Sequence, residues 1–122
     1  MTKKIEDEAV LVVDDDPDTR EALSELLDAS GLRVLQAENG KIALEVLKRT
    51  PQFPCLVLLD LSMPVLDGRG FLKRLAKDPL LRDIPVVVIS ASNQPAELEG
   101  IEEFLRKPVR VERLMEIIDQ YC

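Results

Sequence analysis

Three runs of four apolar residues are the sequence feature that most constrains the fold of this chain. They occupy positions 10–13, 56–59 and 86–89. A strand with one face in solvent alternates apolar and polar residues, whereas a strand covered on both faces is apolar throughout. The three runs therefore predict the central strands of a parallel sheet that has helices on each side. Weaker strand patterns at 33–37 and 103–105 complete a set of five.

Amphipathic segments lie between these strands. Pro17 and Asp18 are a helix-start signal before apolar residues at helical spacing, and Gly31 marks the end of that helix. Similar patterns follow Asn39-Gly40 and Asp67-Gly68, and another runs through the last dozen positions. The alternation predicts a three-layer α/β fold, with a five-stranded parallel sheet flanked by helices.

The length and composition bound the function. The chain has 122 residues, which predicts one domain over 1–122 with its core at about 9–121. Its formal net charge is −7 and it has only four aromatic residues, so direct nucleic-acid binding is not expected. It also has no histidine, which excludes Ser-His-Asp and Cys-His catalytic pairs as well as a phosphohistidine.

The cysteines and the uncharged segments bear on localisation. Cys55 and Cys122 lack C-x-x-C spacing, and we interpret them as unpaired thiols in a reducing compartment. The longest uncharged run, 84–96, has 13 residues and two prolines, so no membrane insertion is expected. With no apolar stretch behind the charged first residues, we predict a cytoplasmic protein.

Charged and polar residues directly follow four of the predicted strands. They are Asp14-Asp15-Asp16, Asp60, Ser90 and Lys107. Each has an ordinary explanation when taken alone, such as a helix-capping loop, a turn or a solvated cation, but parallel strands would bring all four to one edge of the sheet. Two carboxylates 4 Å apart repel by about 4 kcal/mol at an effective dielectric constant of 20. A bound cation or a raised carboxyl pKa would offset this repulsion, and for a cation the hard oxygen ligands favour Mg²⁺.

At these residues the sequence resembles the receiver domains of bacterial two-component response regulators. The resemblance covers positions 10–120 and is strongest in the D-x-x-M-P-x-x-D-G stretch that begins at Asp60. An apolar strand running into Asp14-Asp15, the Ser90-Ala91 pair and Lys107-Pro108 occur in register with it. The resemblance implies a flavodoxin-like sheet with strand order 2-1-3-4-5.

The resemblance also implies a metal site. Asp15 and Asp60 would bind Mg²⁺ directly together with the backbone carbonyl of Ser62, and Asp14 would act through a metal-bound water. The remaining aspartate of the triplet, Asp16, matches no required family position and is interpreted as a loop or helix-start residue.

Further roles concern the phosphoryl group. Asp60 would accept it from a partner histidine kinase or histidine phosphotransfer protein, with Lys107 and Ser90 contacting its oxygens and a cis Lys107-Pro108 bond aiming the lysine. Phe104 would rotate as Ser90 moves, although a plain core phenylalanine is an equal alternative. Ser62 and Ser92 would border the path of the hydrolytic water. The signal would leave through contacts with a downstream protein target.

One departure and two rival functions remain. Seventeen positions separate Ser90 from Lys107, fewer than the family usually has, which predicts a shortened fourth helix within 95–100.

Asp14-x-Asp16 superficially resembles the motif of haloacid-dehalogenase-like Mg²⁺-dependent phosphatases, but Asp18 stands where Thr or Val is expected. The second rival is a receiver-like interaction module that is never phosphorylated. The preferred interpretation is a receiver that is not an enzyme in the usual sense, since it would catalyse only its own phosphorylation and dephosphorylation.

Overall fold

The computed structural model describes residues 8–61, 68–91 and 100–122. Strands and helices alternate along most of the chain, as the apolar runs predict. The strands are β1 (Ala9–Val13), β2 (Arg33–Ala37), β3 (Leu56–Asp60), β4 (Val86–Ser90) and β5 (Glu103–Arg106). The helices are α1 (Pro17–Ala29), α2 (Gly40–Arg49), α3 (Gly68–Lys77) and α4 (Val111–Tyr121).

The five strands form one parallel sheet in the order β2-β1-β3-β4-β5. This confirms the flavodoxin-like order that the resemblance implies. The register pairs Val13 with Leu59, Asp60 with Ile89, and Ser90 with Arg106. Because all strands point the same way and end in step, the residues after them gather at one edge of the sheet.

Apolar side chains cover both faces of the sheet, which explains the uninterrupted apolar runs. All five residues of β1, β3 and β4 are buried. One face packs against α1 and α4 through Leu27, Leu114 and Ile117, and the other face packs against α2 and α3. Each central strand therefore contributes alternate residues to two separate cores.

Side-chain caps begin the first two helices where the sequence predicts. The Asp16 carboxylate accepts a hydrogen bond from the backbone N–H of Asp18 at the start of α1, and Pro17 takes the first helical position. The Asn39 side chain accepts one from the N–H of Ile42, at 2.9 Å, at the start of α2. Gly31, with φ of +88°, follows α1 in the left-handed conformation that glycine adopts without strain.

The short helix predicted within 95–100 lies outside the described residues, except for its last position. That residue, Gly100, has a φ of +82°. The helix labelled α4 is the one that the sequence predicts for the last dozen positions. Its buried face carries Leu114, Ile117 and Ile118.

The described helices are too short to cross a bilayer. The longest in the described parts of the chain is α1, with 13 residues. It spans about 20 Å, against about 30 Å for the hydrocarbon core of a membrane. No helix among the described residues combines the length and the apolar character of a membrane span.

The two cysteines are paired, and the prediction of free thiols is wrong. A disulfide joins Cys55, just before β3, to Cys122, just after α4, with Cα atoms 5.4 Å apart. The two residues are 67 positions apart, so their pairing depends on how the last helix packs against the sheet rather than on local spacing. The inference of a reducing compartment loses the support that it took from free thiols.

Candidate functional site

The residues singled out in the sequence meet at the carboxyl edge of the sheet. Asp14 directly follows β1, Asp60 ends β3, Ser90 ends β4 and Lys107 directly follows β5. Since β1, β3, β4 and β5 are consecutive in the sheet, these four positions lie side by side. The structure thus brings together the groups that sequence order predicts at one edge.

Three carboxylates form a compact cluster there. Asp14, Asp15 and Asp60 each offer an oxygen, and these oxygens all lie within 4.8 Å of one another. Asp14 and Asp60 are buried, at 3% and 8% exposure, whereas Asp15 is exposed. Two oxygens on opposite sides of a Mg²⁺ ion lie about 4.2 Å apart, because each Mg–O bond is about 2.1 Å long. The three donors therefore fit a small hard cation that remains open to solvent beside Asp15.

A fixed positive charge borders this cluster. The Nζ atom of Lys107 lies 3.4 Å from Oδ2 of Asp14, and the lysine side chain is 27% exposed. The backbone N–H of Lys107 donates to the Ser90 carbonyl at 2.9 Å, which fixes the start of the lysine loop to the end of β4. The Lys107-Pro108 peptide bond is cis, as the resemblance implies.

Three hydrogen bonds fix the chain at Asp14. Its N–H donates to the Ala37 carbonyl at 3.1 Å, its carbonyl accepts from Nη1 of Arg20 at 2.7 Å, and its Oδ1 accepts from the N–H of Asp16 at 2.9 Å. Arg20 also donates from Nε to the side-chain oxygen of Gln36 on β2. Sequence reasoning missed Arg20, because a bond to a backbone carbonyl leaves no residue pattern and only the folded sheet brings Gln36 close to it.

The Asp16 side chain caps α1, which agrees with the prediction of a loop or helix-start residue. Its carboxylate accepts from the Thr19 hydroxyl at 2.6 Å in addition to the Asp18 N–H. The Thr19 hydroxyl bond, helped by the backbone N–H groups of Asp18 and Thr19, lowers the pKa of Asp16 below its usual value. The three-carboxylate cluster does not include Asp16.

Gly68 is needed for the chain to pass close to Asp60. Its N–H donates to the Leu61 carbonyl at 3.0 Å, where α3 begins. A Cβ atom at this position would lie 2.7 Å from Cα of Leu61 and 2.9 Å from the carbonyl oxygen of Asp60. These are backbone atoms that cannot turn aside. Glycine at position 68 therefore allows the start of α3 to approach the end of β3 closely.

The serine and the aromatic residue proposed to move lie on adjacent strands. Ser90 is buried at 4% exposure, and Phe104 on β5 pairs in register with Val88 on β4. Phe104 is partly buried and packs against the core on the α2–α3 face, to which Val88 also contributes. Alternation along β4 places Ser90 on the same face as Val88, and therefore on the face that Phe104 covers. The movement of the pair stays a prediction.

Ser62 and Ser92 lie outside the described residues. Their predicted places, as a metal ligand through the Ser62 carbonyl and as neighbours of the hydrolytic water, therefore stay predictions.

A shallow depression lies beside Lys107, between α1 and the loop after β5. Its walls include Leu23 of α1, Ile89 of β4 and the segment Lys107, Pro108 and Val109. Most of this lining is apolar, which contrasts with the carboxylates beside it. Sequence analysis did not anticipate the depression, because its two walls are separated by more than eighty positions.

Comparison with known proteins matches this arrangement. The sequence model described as the response regulator receiver domain matches residues 10–119. The two-component response regulator ORR3 of Oryza sativa subsp. indica is 41% identical over 106 residues, which cover 83% of this chain and 80% of that protein.

Solved structures agree. The signal receiver domain of a signal transduction histidine kinase from Syntrophus aciditrophicus is 28% identical, with a TM-score of 0.84, and the match covers 93% of this chain and 89% of that one. The response regulator protein TrrA from Thermotoga maritima, solved in complex with Mg(2+)-BeF, is 28% identical with a TM-score of 0.83; the match covers 94% of this chain and 99% of that one. This chain therefore belongs to the response regulator receiver domains of two-component signalling, in agreement with its parallel sheet and its strand-end carboxylates.

Proposed function

We propose that this chain is the phosphoacceptor of a two-component phosphorelay and that Asp60 carries the phosphoryl group. The observation that supports this most is the cluster of Asp14, Asp15 and Asp60 with Lys107 beside it. Carboxylates this close repel one another and lower the stability of the fold when no cation is bound. Their assembly at one edge therefore supports a cation-binding site that functions there.

Asp60 acts as the nucleophile. One of its carboxylate oxygens attacks the phosphorus of a phosphohistidine on the partner, the P–N bond breaks, and the imidazole nitrogen leaves with the bonding electrons. The phosphohistidine belongs to a histidine kinase or histidine phosphotransfer protein, since this chain has no histidine. The apolar depression beside Lys107 offers that partner a surface at the carboxyl edge of the sheet.

Asp15, Asp60 and the Ser62 carbonyl are the proposed direct ligands of Mg²⁺, with Asp14 acting through water. When bound, Mg²⁺ neutralises charge on the carboxylates and on the phosphoryl oxygens. The TrrA structure in complex with Mg(2+)-BeF supports this assignment by similarity. Arg20 holds the Asp14 carbonyl and so keeps the acidic loop in place.

Lys107 and Ser90 bind the phosphoryl group after transfer. Lys107 exchanges its contact with Asp14 for a phosphoryl oxygen, and the Ser90 hydroxyl donates to another. As Ser90 moves inward, Phe104 follows on the face that the two residues share. Crystal structures with and without beryllofluoride would test this movement, and an unchanged Phe104 rotamer with an unmoved Ser90 would refute it.

The rival functions have less support. In a haloacid-dehalogenase-like site Asp16 would take part in the chemistry, but here its carboxylate caps α1 and bonds Thr19. A module that is never phosphorylated would have no use for Asp15, Asp60, Ser90 and Lys107 together. We therefore propose that residues 1–122 form one receiver domain with a core at about 9–121. This domain signals to a downstream protein. A cytoplasmic location stays a prediction, which subcellular fractionation tests.

Intact-mass measurement after incubation with acetyl phosphate tests the proposal. The wild-type protein should gain one phosphoryl group with Mg²⁺ and none when the metal is chelated. Asp60→Asn should gain none, while Asp83→Asn, which removes the same charge from an exposed loop before β4, should behave as wild type. Labelling of Asp60→Asn equal to that of the wild type would overturn the assignment.

A further inference from the structure

The disulfide lies at the opposite edge of the sheet from the phosphoacceptor. Cys55 precedes β3, and its backbone N–H donates to the carbonyl of Ala9, the first residue of β1, at 2.9 Å. Asp60 ends the same strand, five residues later. At about 3.3 Å per residue the cysteine and the aspartate are about 16 Å apart along the strand. The Cys55–Cys122 bond is therefore no part of the proposed phosphoryl site.

The end of α4 lacks the basic residues that lie in the last turns of α2 and α3. Its last turn holds no basic residue, and Asp119 places a negative charge near the negative end of the helix dipole. The N–H of Cys122 donates to the Ile118 carbonyl at 2.8 Å and so closes the final helical turn. The disulfide thus ties the sheet to the residue at which this helix would otherwise begin to fray.

In the reduced state the Cys55 thiol would have a hydrogen-bond acceptor. The Cys55 sulfur lies 3.2 Å from the Ala9 carbonyl oxygen, so a thiol there has an acceptor for its proton. Both cysteines are partly buried against the core on the α1–α4 face and partly exposed. A small thiol or disulfide reagent in solution can therefore reach them.

We propose that Cys55 and Cys122 are a reversible redox site that clamps the end of α4 to the sheet when it is oxidised. In the forward direction, one cysteine thiolate attacks a low-molecular-weight disulfide such as glutathione disulfide and releases one glutathione. The second cysteine thiolate then attacks the mixed disulfide and releases another. The two cysteines lose two electrons and two protons, and one glutathione disulfide becomes two glutathiones. A dithiol reductant reverses the reaction.

The consequence is a second covalent input to the domain, separate from phosphorylation. Oxidation restrains α4, which carries Leu114, Ile117 and Ile118 into the core, whereas the carboxylate cluster lies at the other end of β3. In a cytoplasm kept reducing by thiols, the reduced form would prevail until an oxidative change occurs.

Hydrogen exchange and thermal unfolding of the two redox forms test the proposal. Reduced protein equilibrated with glutathione disulfide should lose two hydrogens in intact mass. Reduction of this disulfide, whose cysteines are 67 positions apart, should lower the folding equilibrium constant about a thousandfold and the Tm by about 15 °C. Amides of 118–122 should exchange at least tenfold faster in the reduced form. The double variant Cys55→Ser, Cys122→Ser should resemble the reduced form under both conditions.

Three results would overturn the proposal: thiols that stay free, thiols that stop at mixed disulfides with glutathione, or equal exchange of 118–122 in the two redox forms. Because wild type is compared with itself, a double variant that fails to fold leaves the test intact. Titration of both forms with Mg²⁺ and beryllofluoride should give affinities within about threefold of each other. A larger difference would contradict the separation of the redox site from the phosphoacceptor, whichever residue is phosphorylated.

Discussion

The two ends of the sheet contribute to stability with opposite signs. At the amino end, a covalent bond joins Cys55 to Cys122 beside the apolar core. At the carboxyl end, Asp14, Asp15 and Asp60 gather like charges, with Lys107 as the nearby cation. The amino end adds stability, whereas the carboxyl end costs stability until a cation binds. The difference indicates that the carboxyl end is arranged for chemistry and that the rest of the fold supports it.

The largest effect on the chemistry of the carboxyl end is expected from a substitution of Lys107. In the proposed mechanism Lys107 binds the phosphoryl group. Lys107→Met removes this charge, so the rate of phosphorylation by acetyl phosphate should fall about a hundredfold or more. It also removes a cation that competes for Asp14, so Mg²⁺ should bind more tightly than in wild type.

These two changes have opposite signs, and titration with Mg²⁺ alongside timed intact-mass measurement separates them. Lys77→Met is the control, because this exposed lysine ends α3 away from the cluster. A Lys107→Met protein with weaker Mg²⁺ binding would show that Lys107 stabilises the metal site instead of competing with it.

The next effect concerns the close approach that positions Asp60. Gly68→Ala forces a Cβ atom against the backbone of Leu61 and Asp60, so the free energy of unfolding should fall by about 2 kcal/mol. Mg²⁺ affinity should fall as well, since the end of β3 must shift.

Urea unfolding and Mg²⁺ titration measure both consequences. Arg69→Ala, at the next and exposed position of α3, should change stability by less than about 0.5 kcal/mol. If Gly68→Ala were as stable as wild type, the contact would not constrain the strand end.

A smaller effect is expected at a polar residue of the carboxyl end that caps a helix and is not part of the site. Asn39 also follows a strand at the carboxyl end, but its side chain caps α2. Asn39→Ala should lower the free energy of unfolding by about 1 kcal/mol and leave Mg²⁺ affinity unchanged. Asn39→Ser, which restores a capping oxygen, should recover most of the loss. Weaker Mg²⁺ binding in Asn39→Ala would extend the site to β2.

The smallest effect is expected in the lifetime of the phosphorylated protein. Ser62→Asn would help to orient the hydrolytic water and speed decay about threefold, because positioning lowers the barrier more than access does. Ser92→Lys would block the path and slow decay. Decay measured by intact mass, with Asp83→Asn as the distant control, checks both. Rates equal to wild type in both variants would indicate that Lys107 and the metal alone set the lifetime.

The contrast between the ends also explains what the sequence could predict. Asp14, Asp60, Ser90 and Lys107 each stand directly at a strand end, so chain order alone assigns them to one edge of a parallel sheet. The same alternation of strands and helices predicts the sheet, since fully apolar strands require cover on both faces.

Other features depend on how distant parts pack. Cys55 contacts Cys122 only when α4 packs on the sheet, and Arg20 reaches Gln36 only when β1 and β2 are neighbours. No local spacing encodes such contacts. They belong to tertiary structure, which a pattern of apolar residues describes only in outline.

Locating the phosphoryl group tests the central claim most directly. Protein phosphorylated with acetyl phosphate and Mg²⁺ is treated with borohydride, which reduces an aspartyl phosphate to homoserine, and is then digested and sequenced by mass spectrometry. We expect homoserine at position 60 and none at 14 or 15. Homoserine at Asp14 or Asp15 in place of Asp60, or a phosphorylated protein with no homoserine, would contradict the assignment of Asp60 as the phosphoacceptor.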